Sequence, residues 1–169
     1  MPVVSIDYMF MSQKQSENEE KGMPNLVMKD RDTKTVKTFT VTSKGVNDYA
    51  VRRLVKSIGE LGHKKIILKS DNENAIIALK QRVKHILPLN VVLEESPVGD
   101  YQANGEVEMA NQQVQGQFRV MKCGFESRIN KKLEGTHPLT PWLLIHAADT
   151  LNRYVKGECG RTAYQKVKG

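Results

Sequence analysis

Apolar positions in this chain switch between a two-residue and a helical period, and the order of the switches predicts an α/β domain. Val3 to Met11 is apolar and β-branched on both faces, as expected of a central strand. Ser12 to Met23 is polar, with Glu17, Glu19 and Glu20, and reads as a hairpin loop. Asn25 to Lys29 and Lys34 to Thr42 read as two more strands around a turn at Asp30-Arg31-Asp32, completing an antiparallel meander. From Val46 to Leu61 the spacing of Ala50, Leu54, Ile58 and Leu61 becomes helical, and Gly62 is placed to end that helix. Lys64 to Ser70 then holds Ile66-Ile67-Leu68, a short buried strand of the parallel type. Ala75 to Leu87 is an amphipathic helix through Ile76, Leu79, Val83 and Ile86, stopped by Pro88. Asn90 to Glu94 adds a fifth strand. After a polar loop with Pro97 and Gly99, a long helix runs from Gly105 toward Ile129, with Val107, Ala110, Val114, Phe118 and Met121 turned inward. Pro138 to Tyr154 predicts another helix, whose Trp142 and aliphatic residues suit a core or a subunit contact.

Composition narrows the class. At 169 residues, 39% hydrophobic and 27% charged, the chain suits one soluble domain over residues 1–169 with a real core. No apolar run approaches the ~20 residues needed to span a membrane, and the N-terminus lacks a signal-peptide pattern, so an intracellular protein is expected. Cys123 and Cys159 are too few for a disulfide framework and are read as thiols. His63, His85, His137 and His146 share no metal-ligand spacing with one another or with the cysteines, which excludes a local zinc finger. The net charge is +7, and the stretch from Arg119 to Gly169 carries ten Lys/Arg against four Asp/Glu. A basic segment suits a phosphodiester partner, although a solvated basic face would look the same.

Three acids stand out against this pattern. Asp7 interrupts an apolar strand, where a bare carboxylate costs several kcal/mol unless it is paired, protonated or metal-bound; a partly wet strand end is the other reading. Asp71 directly follows the Ile66-Ile67-Leu68 strand, at the carboxyl edge where open α/β sheets build their sites, yet it also precedes a helix and suits an N-cap. Glu106 and Glu108 occupy the first turn of the long helix, which favours negative charge and which Asn104 is placed to cap. Behind Glu108, the positions Gln112, Gln115 and Arg119 form a polar stripe.

These residues resemble a family. Ser5-Ile6-Asp7-Tyr8, Lys69-Ser70-Asp71-Asn72 and Gly105-Glu106-Val107-Glu108-Met109-Ala110-Asn111 are similar to the three acid motifs of the catalytic core of retroviral and LTR-retrotransposon integrases, within the ribonuclease-H-like polynucleotidyl transferases. The third motif resembles that family's Gly-x-x-Glu-x-x-Asn, which selects Glu108 over Glu106. Glu108 follows Asp71 by 37 residues, near the spacing the resemblance implies. His137-Pro138-Leu139-Thr140-Pro141-Trp142 and Gly160-Arg161-Thr162-Ala163-Tyr164 look like downstream segments of retrotransposon cores, so the resemblance extends from Val3 to about Lys168.

The resemblance implies a ribonuclease-H-like sheet of five strands, three antiparallel and two parallel, flanked by helices. It implies Asp7, Asp71 and Glu108 as catalytic ligands of two Mg2+ or Mn2+ ions, with Asp7 between them. Carboxylates without His or Cys suit such hard cations, and two ions activate the attacking oxygen and stabilise the leaving one. Water as attacker gives 3′-end processing; a DNA 3′-hydroxyl gives strand transfer into a target. The implied partners are element and target DNA and further copies of the chain, as a dimer or higher oligomer, acting in the nucleus. Tyr101, Asn111, Gln112, Gln115 and Arg119 are the expected DNA contacts, with Asn111 alternatively orienting Glu108 or lying idle on the surface. The zinc-binding and C-terminal barrel modules of a whole integrase are absent from these residues, as expected of a core cut from a polyprotein. Two departures bear on activity: Glu73 stands where many relatives have glycine, and Gln112 and Gln115 replace lysines. A hydrolytic nuclease of the same fold, or a core that binds DNA or protein without catalysis, are the rival expectations.

Overall fold

In a computed structural model of the chain, residues 1–11, 22–96 and 105–169 are described. Five strands, β1 (Val3–Met9), β2 (Asn25–Asp30), β3 (Val36–Thr40), β4 (Lys65–Ser70) and β5 (Asn90–Glu95), form one sheet in the order β3-β2-β1-β4-β5. β1, β2 and β3 pair antiparallel, whereas β4 joins β1 and β5 joins β4 in parallel. The helices are α1 (Asp48–Glu60), α2 (Asn74–Ile86), α3 (Gly105–Ile129), α4 (Leu139–Tyr154) and α5 (Ala163–Lys168). Each predicted strand and long helix is present within a few residues of its expected bounds. α5, which no apolar period announced, forms through a capping box between Thr162 and Gln165.

The two-residue period of the strands sorts the core into two layers. Val4, Ile6 and Tyr8 of β1, with Leu26, Met28, Ile66 and Leu68, pack under α1 and α2 through Leu54, Ile58, Ile76 and Leu79. Met9, Val27 and Val36 pack on the other face under Val107, Val114 and Phe118 of α3 and Leu144 and Ala147 of α4. Asp7 lies between Ile6 and Tyr8 opposite Val27, so strand parity turns it toward the α3 face. The exposed edge of the meander is closed by a side chain: buried Asn152 of α4 accepts from Val36 N–H (2.8 Å) and donates to Val36 C=O (2.7 Å), completing the ladder as a further strand would.

Two expectations change. β4 and β5 are buried on one face only, since Ile67 is half-buried and Val92 is 45% exposed; among the described residues, α3 and α4 stand over β1 to β3 and not over this half of the sheet. Asp30, expected in the turn, instead ends β2 fully buried, with its Oδ2 accepting from Thr33 N–H (3.0 Å) and Thr33 Oγ1 (2.6 Å) and standing 3.2 Å from His63 Nε2. Trp142, expected in a core or a subunit contact, is 58% exposed and stacks on His146 one turn on. Lys80 of α2 is fully buried and donates to Glu94 C=O (2.7 Å). Its long apolar stem crosses the layer to reach that carbonyl.

Candidate active site

Asp7 is carried by the middle strand of the sheet, Asp71 by the segment directly after β4, and Glu108 by the first turn of α3. β1 and β4 are parallel neighbours, so both aspartates project from the same sheet edge. The carboxylate of Asp7 is held at both oxygens: Oδ1 accepts from Tyr8 N–H (2.7 Å) and Oδ2 accepts from Asn111 Nδ2 (2.9 Å). Burial pushes the Asp7 carboxyl above its ordinary range, and the nearby charges of Asp71 and Glu108 push it further the same way; the two hydrogen bonds oppose them. Asp71 and Glu108 thus each act electrostatically on Asp7. The three acids are not drawn into a compact triad, and among the described residues no three His, Cys, Asp or Glu converge closely enough to hold a metal ion.

Other roles fall away from the acids. Asp71 does not cap α2, because the N-cap is Glu73. Glu106 is turned aside into ion pairs with Arg31 Nε (3.3 Å) and Lys34 Nζ (3.7 Å) of the β2–β3 turn, while Glu108, two residues on, is exposed. Glu73, the extra acid, is held by Lys44, whose Nζ lies 2.8 Å from each carboxylate oxygen.

Of the expected DNA contacts, Asn111, Gln112, Gln115 and Arg119 all lie on α3. Gln112 and Arg119 are exposed, and Gln115 is half-buried. Asn111 points to Asp7 and not to Glu108; with Asn111 three residues past Glu108 on one helix, the Gly-x-x-Glu-x-x-Asn spacing alone suggests a local partner. Its Oδ1 is buried without a hydrogen-bond partner among the described residues. Tyr101, Asn104, Pro97 and Gly99 lie outside the described residues. Two participants carried no signal in the sequence. Tyr8 receives Gly45 N–H on its hydroxyl (2.9 Å), and Asn72 donates to Ser96 C=O (2.8 Å), tying the Asp71 segment to the end of β5.

By chemical type the donors suit a hard divalent cation: they are carboxylates with neither His nor Cys among them, and the Asn111 Oδ1, without a hydrogen-bond partner among the described residues, belongs to the side chain that donates to Asp7.

No family model and no curated protein sequence matches the chain. Among solved structures it is similar to a chain of the simian T-cell lymphotropic virus intasome in complex with the PP2A regulatory subunit B56 gamma. The identity is 16%, the TM-score 0.69, and the match covers 99% of this chain and 54% of that one. This chain thus spans about half the length of that relative. It is also similar to the catalytic core domain of BIV integrase, at 15% identity and TM-score 0.58, covering 96% of this chain and 91% of that one. The likeness is one of fold: the chain has the mixed five-stranded, helix-flanked architecture of a ribonuclease-H-like integrase core.

Proposed function

We propose that this chain is the core of a metal-dependent polynucleotidyl transferase that acts in DNA integration. What supports the reading is that Asp7 and Asp71 stand at the same edge of parallel neighbours β1 and β4, and that Asp71 and Glu108, far apart in sequence, each add negative charge at half-buried Asp7 in this fold; these three residues would hold the metal. Two divalent ions, when bound, activate the attacking oxygen and stabilise the leaving one. The chain's own residues do the positioning. Tyr8 N–H and Asn111 set the rotamer of Asp7, and the negative charge around it attracts cations. The exposed stripe of Gln112 and Arg119, continuing from Glu108 along α3, offers an amide and a cation to a DNA backbone. With amides at 112 and 115, binding to DNA ends should depend less on salt than lysines would make it. The reading carries with it element and target DNA as partners, a homo-oligomer of two or more copies and a nuclear site of action.

The test is disintegration of a branched DNA in Mn2+ or Mg2+, comparing the chain with its Glu108→Gln form. Joining that disappears in the variant is the expected result. Cutting without joining would replace the proposal with a nuclease of the same fold, and neither joining nor metal binding by calorimetry would leave a non-catalytic core.

A further inference from the structure

The segment that carries Asp71 is only three residues long, Asp71-Asn72-Glu73, between the end of β4 and the start of α2. Asn72 and Glu73 are both tied down. Asn72 donates to Ser96 C=O, and Ser96 N–H donates to Ser70 C=O (3.0 Å), which fastens the segment to the end of β5. Glu73 receives Ile76 N–H (3.0 Å) and Ile77 N–H (3.1 Å) on its backbone carbonyl, and its carboxylate is turned away from the helix end to Lys44. Lys44 is itself confined, its Nζ lying 5.3 Å from the Tyr8 ring centroid and 5.4 Å from that of Phe10, within cation–π range of both. The next residue, Gly45, adopts φ +98°, a conformation that side chains resist, and so presents its N–H to the Tyr8 hydroxyl. An unbroken series of contacts therefore runs from Asp7 Oδ1 to Tyr8, to Gly45 and Lys44, to Glu73, two residues from Asp71.

We propose that Lys44 and Glu73 form a positioning clamp that sets where the Asp71 carboxylate stands relative to Asp7 and withholds the extra carboxylate of Glu73 from the same cations. The inference rests on the three-carboxylate reading above. Glycine at position 73 would lose the ion pair to Lys44, which this chain adds to the backbone ties of the segment. The pair is a third to two-fifths exposed, at 33% and 43% for the two side chains, so its effect on overall stability is small and its geometric effect is what a measurement should find.

Mn2+ binding is measured by titration calorimetry on the full chain, alongside the thermal midpoint, for Lys44→Met, Lys44→Arg, Glu73→Gln, the Lys44→Met/Glu73→Gln double variant and Asp7→Asn. Outer-sphere partners of metal ligands are typically worth about 10–100-fold in affinity, so Lys44→Met and Glu73→Gln should each weaken Mn2+ binding about tenfold. The double variant should be no weaker than either single one, and Lys44→Arg should stay near the native affinity. Unchanged or tighter binding in Lys44→Met, or losses in the single variants that simply add, overturns the clamp. If Lys44→Met fails to fold, Lys44→Arg and Glu73→Gln decide by the same criterion, retained against lost affinity. The Asp7→Asn control separates the two failures. If the native chain takes up no Mn2+, or Asp7→Asn leaves uptake unchanged, the three-carboxylate reading falls and the clamp with it. If Asp7→Asn abolishes uptake while Glu73→Gln does not alter it, the clamp alone falls.

Discussion

Two neighbouring strands each carry a carboxylate out of bulk water, Asp30 fully and Asp7 in part, and their surroundings differ in kind. Asp30 closes β2 with no exposed surface, and its Oδ2 gathers Thr33 N–H, Thr33 Oγ1 and His63 Nε2. Asp7 in β1 accepts two hydrogen bonds but also faces the charges of Asp71 and Glu108, and its carboxyl is pushed up. Burial costs both acids. At Asp30 three polar groups on Oδ2 offset part of that cost and fix the end of β2, while Oδ1 has no hydrogen-bond partner among the described residues. At Asp7 the charges of two further acids add to the cost.

The contrast breaks if the two residues respond alike to substitution. Asp7→Asn should lower joining by at least about 10³-fold, roughly 4 kcal/mol of barrier, while the thermal midpoint of the metal-free chain at neutral pH holds or rises. Asp30→Ala should do the reverse. It strands the Thr33 and His63 donors and costs about 3 kcal/mol of stability, with joining by the folded fraction unchanged; denaturant titration beside the joining assay reads both. The pH dependence sharpens the point. Because the folded-state carboxyl of Asp7 titrates above its ordinary value of 3.8, the native chain holds a proton there that the unfolded chain releases. Its contribution is complete below that value and is lost as pH rises through the elevated one, so Asp7→Asn should flatten this part of a metal-free stability–pH curve.

A smaller effect is expected at Asn111. Asn111→Leu removes the donor to Asp7 Oδ2 and should slow joining about tenfold, near 1.4 kcal/mol, with Mn2+ affinity falling in parallel; an unchanged affinity would reduce Asn111 to a DNA contact or a surface residue. The smallest lies beside Asp30. Burial, with help from Lys34, lowers the Lys29 ammonium to about 8 from 10.5, against the opposing pull of Glu106 and Asp30. A depressed lysine costs the fold most below pH 8, and the native chain gains stability as pH rises from about 8 to 10.5. Lys29→Met should therefore stabilise by roughly 1 kcal/mol at pH 7 and lose that advantage by the upper end of the window, which thermal melts across pH would show.

Much of the architecture was legible because it is local. The helical spacing of Ala50, Leu54 and Ile58, the turn chemistry at Gly62 with its positive φ, and the long apolar stripe of α3 all arise within a few residues of chain. Errors fell where a side chain's partner lies elsewhere. Asp30 reads as a turn residue until His63, 33 positions on, is placed against it. Lys80 finds its partner in a carbonyl of β5, and the core side of the two readings of Trp142 falls once α4 turns it outward.

By itself the sequence determined the order of strands and helices and the three positions where an acid stands against its local pattern. The resemblance of its third motif favoured Glu108 over Glu106, and the structure pairs Glu106 with Arg31 and Lys34. Periodicity and motif spacing are properties of neighbours along the chain, and a sequence displays those directly. Only the tertiary structure decided that Asn111 serves Asp7 across 104 residues, that Lys44 holds Glu73 across 29, and that Asn152 closes the edge at Val36 across 116. Those contacts depend on how strands register and helices pack. A single side chain selects its partner only after the hydrophobic layers have brought the two together.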